Sequence, residues 1–134
     1  MTESVATVEF KQQVLDNILQ EVCRGGQVSA AIIANLEGFP IATASPTHDA
    51  ETLAALVAYL RDTAQRAQTQ LGLSQLDEVT IRDRDQGLLV CRSFPVDGEE
   101  DDLLLVILLP KRRAYRRLTN IAVRQIRAVW QARA

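Results

Sequence analysis

The stretch Leu103–Leu109, LLLVILL, is seven apolar residues without interruption, set between the acidic run Glu99–Asp102 and Pro110. Crossing a bilayer takes about 20 such residues, so this reads as a short strand covered on both faces. A sheet built around such a strand needs helices on both sides. Val28–Leu36 (VSAAIIANL) has the same two-faced apolar character and reads as a second central strand.

The rest of the chain supplies the cover. From Val8 to Val22 the apolar residues Phe10, Val14, Leu15, Ile18, Leu19 and Val22 recur at helical spacing, and Gly25-Gly26 offers a C-cap. Glu37-Gly38 turns the first strand back into Phe39–Ala42, where Pro40 suits an edge position. Ser45–Asp49 is a helix-entry loop with Thr47 or Asp49 as N-cap, and the longest helix runs from there to Leu71, stopped by Gly72. Leu76–Asp83 reads as a third strand, with Val79 and Ile81 on one face and Thr80 and Arg82 on the other, Asp85-Gln86-Gly87 turns it, and Leu88–Phe94 is the fourth. A last helix is expected from about Lys111 to Gln131, with Leu118, Ala122, Ile126 and Val129 on its apolar stripe. The order is α-β-β-α-β-β-β-α. It predicts one α+β domain over residues 1–134, with a core from about residue 7 to 130 and one five-stranded antiparallel sheet between helices. At 134 residues and 47% hydrophobic, the chain is long enough to bury such a core.

The first half of the long helix is the exception to ordinary patterning. Leu53–Leu60 (LAALVAYL) is eight apolar residues, about two turns with no polar face. One side can lie on the chain's own sheet, and the other calls for a partner.

The usual catalytic constellations are missing. There is no G-x-x-x-x-G-K-[ST] loop, no GxGxxG and no G-x-S-x-G. His48 is the sole histidine, expected on the surface, and Cys23 and Cys91 are spaced like buried free thiols rather than a zinc pair or a disulfide. The Glu99–Asp102 carboxylates lack the alternation of a calcium loop and read as a solvated hairpin loop. The expectation is a non-enzyme with no cofactor and no metal. The Met1–Ser4 start lacks a secretory pattern, which with the thiols predicts a cytoplasmic protein.

The formal charge of -2 conceals a division. Residues 111–134 carry eight of the 15 basic residues, Lys111, Arg112, Arg113, Arg116, Arg117, Arg124, Arg127 and Arg133, and none of the 17 acidic ones. An arginine-rich solvated face accounts for this better than a nucleic-acid or anionic-lipid surface. Aromatics interleave only at Tyr115 and Trp130, and the chain is 4% aromatic. A small-molecule sensor is disfavoured because Leu/Ala packing offers few convergent polar groups.

The apolar strand VSAAIIANL followed by EGFPIATA, the loop HDAETLAALVAYL opening the long helix, and the hairpin leading to LLLVILL together resemble the Roadblock (dynein light chain) family, from about Thr7 to Trp130. The resemblance implies a homodimer whose sheets join edge to edge through the third strand while the long helices pack together. Its expected contacts are Leu53, Leu56, Val57, Leu60 and Ala64 on the helix, and Val79, Thr80, Ile81 and Arg82 on the strand. It further implies a regulator of a Ras-like small GTPase, or else an adaptor bridging a motor, signalling or membrane complex. Arg61, Arg66, Arg113 and Arg117 are candidate partner contacts. The gliding-motility regulator of this family carries further terminal segments that this chain does not show, which points to weaker activation or to a scaffold.

Overall fold

The computed structural model describes residues 5–44, 49–85, 87–111 and 113–131. Thr47, His48, Gln86, Arg112 and Arg133 lie outside them, so the expectations for the first helix-cap choice, the histidine, the turn centre and two of the arginines fall outside the described residues. The elements follow the expected order: α1 (Val5–Gly26), β1 (Ala30–Ala34), β2 (Pro40–Ala44), α2 (Ala50–Leu71), β3 (Glu78–Arg82), β4 (Leu88–Phe94), β5 (Leu103–Leu109) and α3 (Arg116–Gln131).

All four pairings in the sheet are antiparallel and its order is β2-β1-β5-β4-β3. β5 therefore lies at the centre, as its two-faced apolar sequence requires, with β1 beside it. Successive residues serve opposite faces. Leu103, Leu105, Ile107 and Leu109 join Leu15, Leu19 and Ile126 under α1 and α3, while Leu104 and Val106 join Ile32, Ala54 and Val57 under α2.

Both ends of α2 follow from local sequence. Asp49 caps it, its Oδ1 accepting the Glu51 N–H at 3.1 Å and its Oδ2 accepting the Thr52 hydroxyl at 2.7 Å. The bond from Thr52, helped by that from Glu51, holds the Asp49 carboxyl below its usual value. Gly72 ends the helix in the left-handed conformation at φ 72°. The β1–β2 turn depends on a glycine for a second reason. Gly38 has φ 93°, and a Cβ there would stand 3.0 Å from the Ala55 Cα of α2. Gly38→Ala is expected to cost about 2 kcal/mol or more, read as a lowered urea midpoint, because it adds both backbone strain and a clash with helix backbone.

Several boundaries differ from the sequence reading: β1 and β3 are shorter at both ends than Val28–Leu36 and Leu76–Asp83, β2 is shifted from Phe39–Ala42, and the end of α1 and the start of α3 also move. The left-handed residue after α1 is Gln27, at φ 54°, rather than either glycine, since the helix continues through Gly26. The last helix begins at Arg116, five residues later than expected. Lys111 and Arg113 are like charges with no capping side chain between them. The first helical turn instead forms where the Thr119 N–H reaches the Tyr115 carbonyl at 2.9 Å. The buried side of α3 is Thr119, Ala122, Val123, Ile126 and Trp130, with Leu118 and Val129 flanking it.

Both cysteines are free, Cys23 half-buried and Cys91 buried. Burial pushes the Cys91 thiol up to about 12, against a lowering pull from the Arg61 charge. Cys91 is expected to resist thiol reagents at neutral pH in the folded protein and to react at once in denaturant, as counted by mass after alkylation. No described helix is long and apolar enough to cross a membrane.

Candidate interaction surface

The sheet has two edges, and they are not alike. β2 carries Pro40, which has no N–H to donate, and a register shift between Ile33 and Ala34 in its pairing with β1. β3 has neither device. Its outward backbone groups follow from its hydrogen bonds. The Asp83 N–H donates to the Gly87 carbonyl at 2.8 Å, and the Asp77 carbonyl accepts the Ser93 N–H at 3.2 Å. In an antiparallel strand the N–H and C=O of one residue point the same way and alternate along the chain. Val79 and Ile81 therefore also bond towards β4. Glu78, Thr80 and Arg82 present their backbone donors and acceptors to the open edge.

The side chains sort the other way, onto the two faces. Val79 packs into the cluster under α2, so Ile81, two residues on, shares that face. Ile81 is 45% exposed. Glu78 lies on the opposite face, where it accepts the hydroxyls of Tyr115 and of Thr80 and pairs with Arg116.

Helix α2 lies above this edge. The β1–β2 turn touches Ala55 and Ala58, which fixes which flank of α2 faces β2. At 100° per residue, Leu53, Leu60 and Ala64 occupy the flank opposite Ala55, towards β3, and Leu56 lies between that flank and the outer face of the helix. Leu56 is 57% exposed and the neighbouring Tyr59 73%, while Leu53, Leu60 and Ala64 are partly covered. An apolar band thus runs from the flank of α2 onto Val79 and Ile81 at an unblunted strand edge. A contiguous exposed apolar band of this kind is a candidate interaction surface.

Val57 does not belong to it, contrary to the sequence expectation. It is 0% exposed and sits against β1 and β5 within the chain's own core, since its position on the helix points at the sheet. The four arginines singled out from the sequence are also not brought together. Arg61 is half-buried and turned towards the far end of β4, whereas Arg66 is exposed and paired with Asp62 at 3.2 Å. Arg113 lies in the coil before α3 and Arg117 in its first turn, both exposed.

A polar clasp that the sequence did not reveal fastens the start of β3 to α3. Arg116 pairs with Asp77 at 3.0 Å and with Glu78, and Arg92 approaches Asp77 at 3.8 Å. Burial pushes the Glu78 carboxyl up, but the bonds from Tyr115, Thr80 and Arg116 together outweigh it and leave the group below its usual 4.5. A carboxylate with a lowered folded value stabilises the fold above its ordinary pKa and loses that contribution as the pH falls through the lowered one. Urea midpoints of the native chain should therefore fall between pH 5 and pH 3 more steeply than those of Glu78→Gln.

Residues 14–108 match the family model of the Roadblock/LC7 domain. The chain belongs to the Roadblock/LC7 family. Its domains are regulators and adaptors, and the five-stranded α+β sheet is the Roadblock fold. Among solved structures, the chain is similar to the gliding protein MglB of Thermus thermophilus, with a TM-score of 0.76, 17% identity, and 99% of this chain and 96% of that one covered. It is also similar to Myxococcus xanthus MglB, with a TM-score of 0.77, 14% identity, and 98% and 94% covered. A third similar structure, described as MglB with tetrameric arrangement, has a TM-score of 0.70 and 17% identity over 98% and 94%. At this coverage the solved MglB chains hold little outside the shared fold. No curated protein sequence matches the chain.

Proposed function

We propose that this Roadblock domain acts as a homodimer, joined through β3 and α2, that regulates or scaffolds a Ras-like small GTPase. The observation that carries the reading is the apolar band running from Leu53, Leu56 and Leu60 onto the open edge at Val79 and Ile81. A twofold axis normal to the sheet sets two α2 helices side by side on one face of a continuous ten-strand sheet.

The sequence of β3, Glu-Val-Thr-Ile-Arg, favours one register for that seam. Centring the axis on Thr80 pairs all five residues. It places Glu78 opposite Arg82 of the second copy, and Val79 opposite Ile81. Opposite charges and β-branched pairs both stabilise cross-strand neighbours. The outward N–H and C=O of Glu78, Thr80 and Arg82 then all find partners, the condition a buried seam imposes. Shifting the axis to Val79 or Ile81 leaves one of the two charged residues beyond the paired segment.

Activation in this reading comes from ordering the switch segments of the GTPase against the face formed by the paired α2 helices, where Tyr59 and Arg66 are exposed, so that the partner's own groups do the chemistry. The MglB likeness and the family's role support this assignment. The test is single-turnover GTP hydrolysis and nucleotide release by a Ras-like small GTPase that binds this chain, with the dimer in saturating excess. Acceleration of either step is expected. Unchanged rates with intact binding would leave only the scaffold.

A further inference from the structure

A cavity of about 710 Å³ opens where β3 gives out. Its first residue, Glu78, pairs with Arg92, so Ser93 and Phe94 of β4 continue beyond the edge strand and both faces of the sheet open onto one notch. Arg61 reaches it from α2 on one face, Arg127 from α3 on the other, and Arg92 from the strand between them. Two carboxylates, Asp77 and Asp102, also line it.

The charges do not cancel: Arg61, Arg92 and Arg127 set three positive charges against the two carboxylates. Asp77 is held by Arg116 at 3.0 Å and approached by Arg92 at 3.8 Å, and Asp102 accepts the Ser93 hydroxyl at 2.9 Å. Arg92 is further committed to Thr119, at 3.3 Å, and to Asn120. Arg61 and Arg127 have no ion-pair partner among the described residues. In both, the Nε is buried and has no hydrogen-bond partner. Of all the buried side-chain nitrogens and oxygens described, these two are the unpaired ones, and they line the same cavity. A guanidinium held at a cavity wall without an acid partner calls for an anion, and two on opposite walls call for one with several charged oxygens.

We propose that this notch binds a small phosphomonoester dianion, clamped between Arg61 and Arg127. Its negative charge answers the surplus positive one, and its three terminal oxygens can serve a fork from each side. A carboxylate has two oxygens and serves only one fork. The cavity is larger than a phosphate ion and falls in the range of about 300–1,000 Å³ usual for small-molecule sites. Its remaining wall is polar. Gln68 donates to the Leu73 carbonyl and accepts from the Gln65 side chain, which leaves Gln65 Oε1, with Ser74 and Gln75, for the organic part of the ligand.

The test is an NMR titration of the ¹⁵N-labelled full chain with glycerol 3-phosphate at constant ionic strength, read on the arginine Nε–H signals. The signals of Arg61 and Arg127 are expected to move saturably with one shared dissociation constant, while those of exposed Arg24 and Arg66 stay in place. Arg61→Gln and Arg127→Gln should each weaken binding by about tenfold or more. If either fails to fold, the lysine replacements Arg61→Lys and Arg127→Lys, which keep the charge and lose the fork, should weaken it also. Non-saturable shifts matching those of Arg24 and Arg66, or affinity unchanged in the folded variants, would overturn the site.

Discussion

Leu56→Glu is expected to leave the chain folded and to separate the proposed dimer into single copies. In one copy the residue is 57% exposed, so a glutamate there costs the fold little. At the seam it lies against the α2 flank of the second copy, where each dimer would hold two carboxylates among leucines. Charged groups buried without partners cost several kcal/mol. A loss of about 4 kcal/mol of association corresponds to roughly a thousandfold rise in dissociation constant. Sedimentation velocity at micromolar concentration, alongside circular dichroism, measures both halves of the prediction. A Leu56→Glu chain that still sediments as a dimer would remove α2 from the interface.

The next residue along should do the reverse. Val57→Asp puts a carboxylate at a position 0% exposed, beneath α2 and among apolar residues such as Ile32 and Val106. The expected loss of several kcal/mol is comparable to the whole stability of a domain this size, about 5–15 kcal/mol. The variant should be unfolded or molten at 25 °C, with loss of the near-ultraviolet signal and a collapsed urea transition. A folded, dissociated Val57→Asp chain would mean that α2 is rotated from this orientation. The adjacent pair thus separates a helix that merely covers a core from one that also presents a second face.

That distinction is only partly legible in the sequence. LAALVAYL shows that the helix has too much apolar surface for one contact, but a run with no polar residues carries no phase, so it does not say which side faces home. The Gly38–Ala55 approach supplies the phase, and it moves Val57 inside while leaving Leu53, Leu56, Leu60 and Ala64 at the edge. The sheet is easier to read, because LLLVILL and VSAAIIANL can each be satisfied only near its centre. Boundaries are misread where no side chain marks them. The start of α3 depends on Tyr115 and Arg116 being drawn to Glu78, some 37 residues away in sequence, which no local pattern reports.

The arginine notch is invisible in the sequence for a related reason. Arg61, Arg92 and Arg127 sit on three elements, and each alone looks like an ordinary surface charge. Counting polar groups in a Leu/Ala-rich chain suggests that none would converge. They do so because β3 is two residues too short to cover the end of β4, and the gap exposes both faces of the sheet at once. The basic excess of the last segment is used in part at that end of the molecule: Arg116 in the clasp, Arg127 in the notch.

Joining of two copies at β3 with Thr80 on the axis is open to a direct cross-linking experiment. Facing residues of a hydrogen-bonded antiparallel pair have Cα atoms about 5.5 Å apart, within the range a disulfide spans. In a chain with Cys23→Ser and Cys91→Ala, the second because Cys91 faces Val79 across the β3–β4 pair, Thr80→Cys should oxidise to a covalent dimer of twice 14.9 kDa. Val79→Cys alone should not, whereas Val79→Cys mixed with Ile81→Cys should link across the seam. Thr80→Cys chains that remain single under oxidation, with the fold intact, would contradict the account.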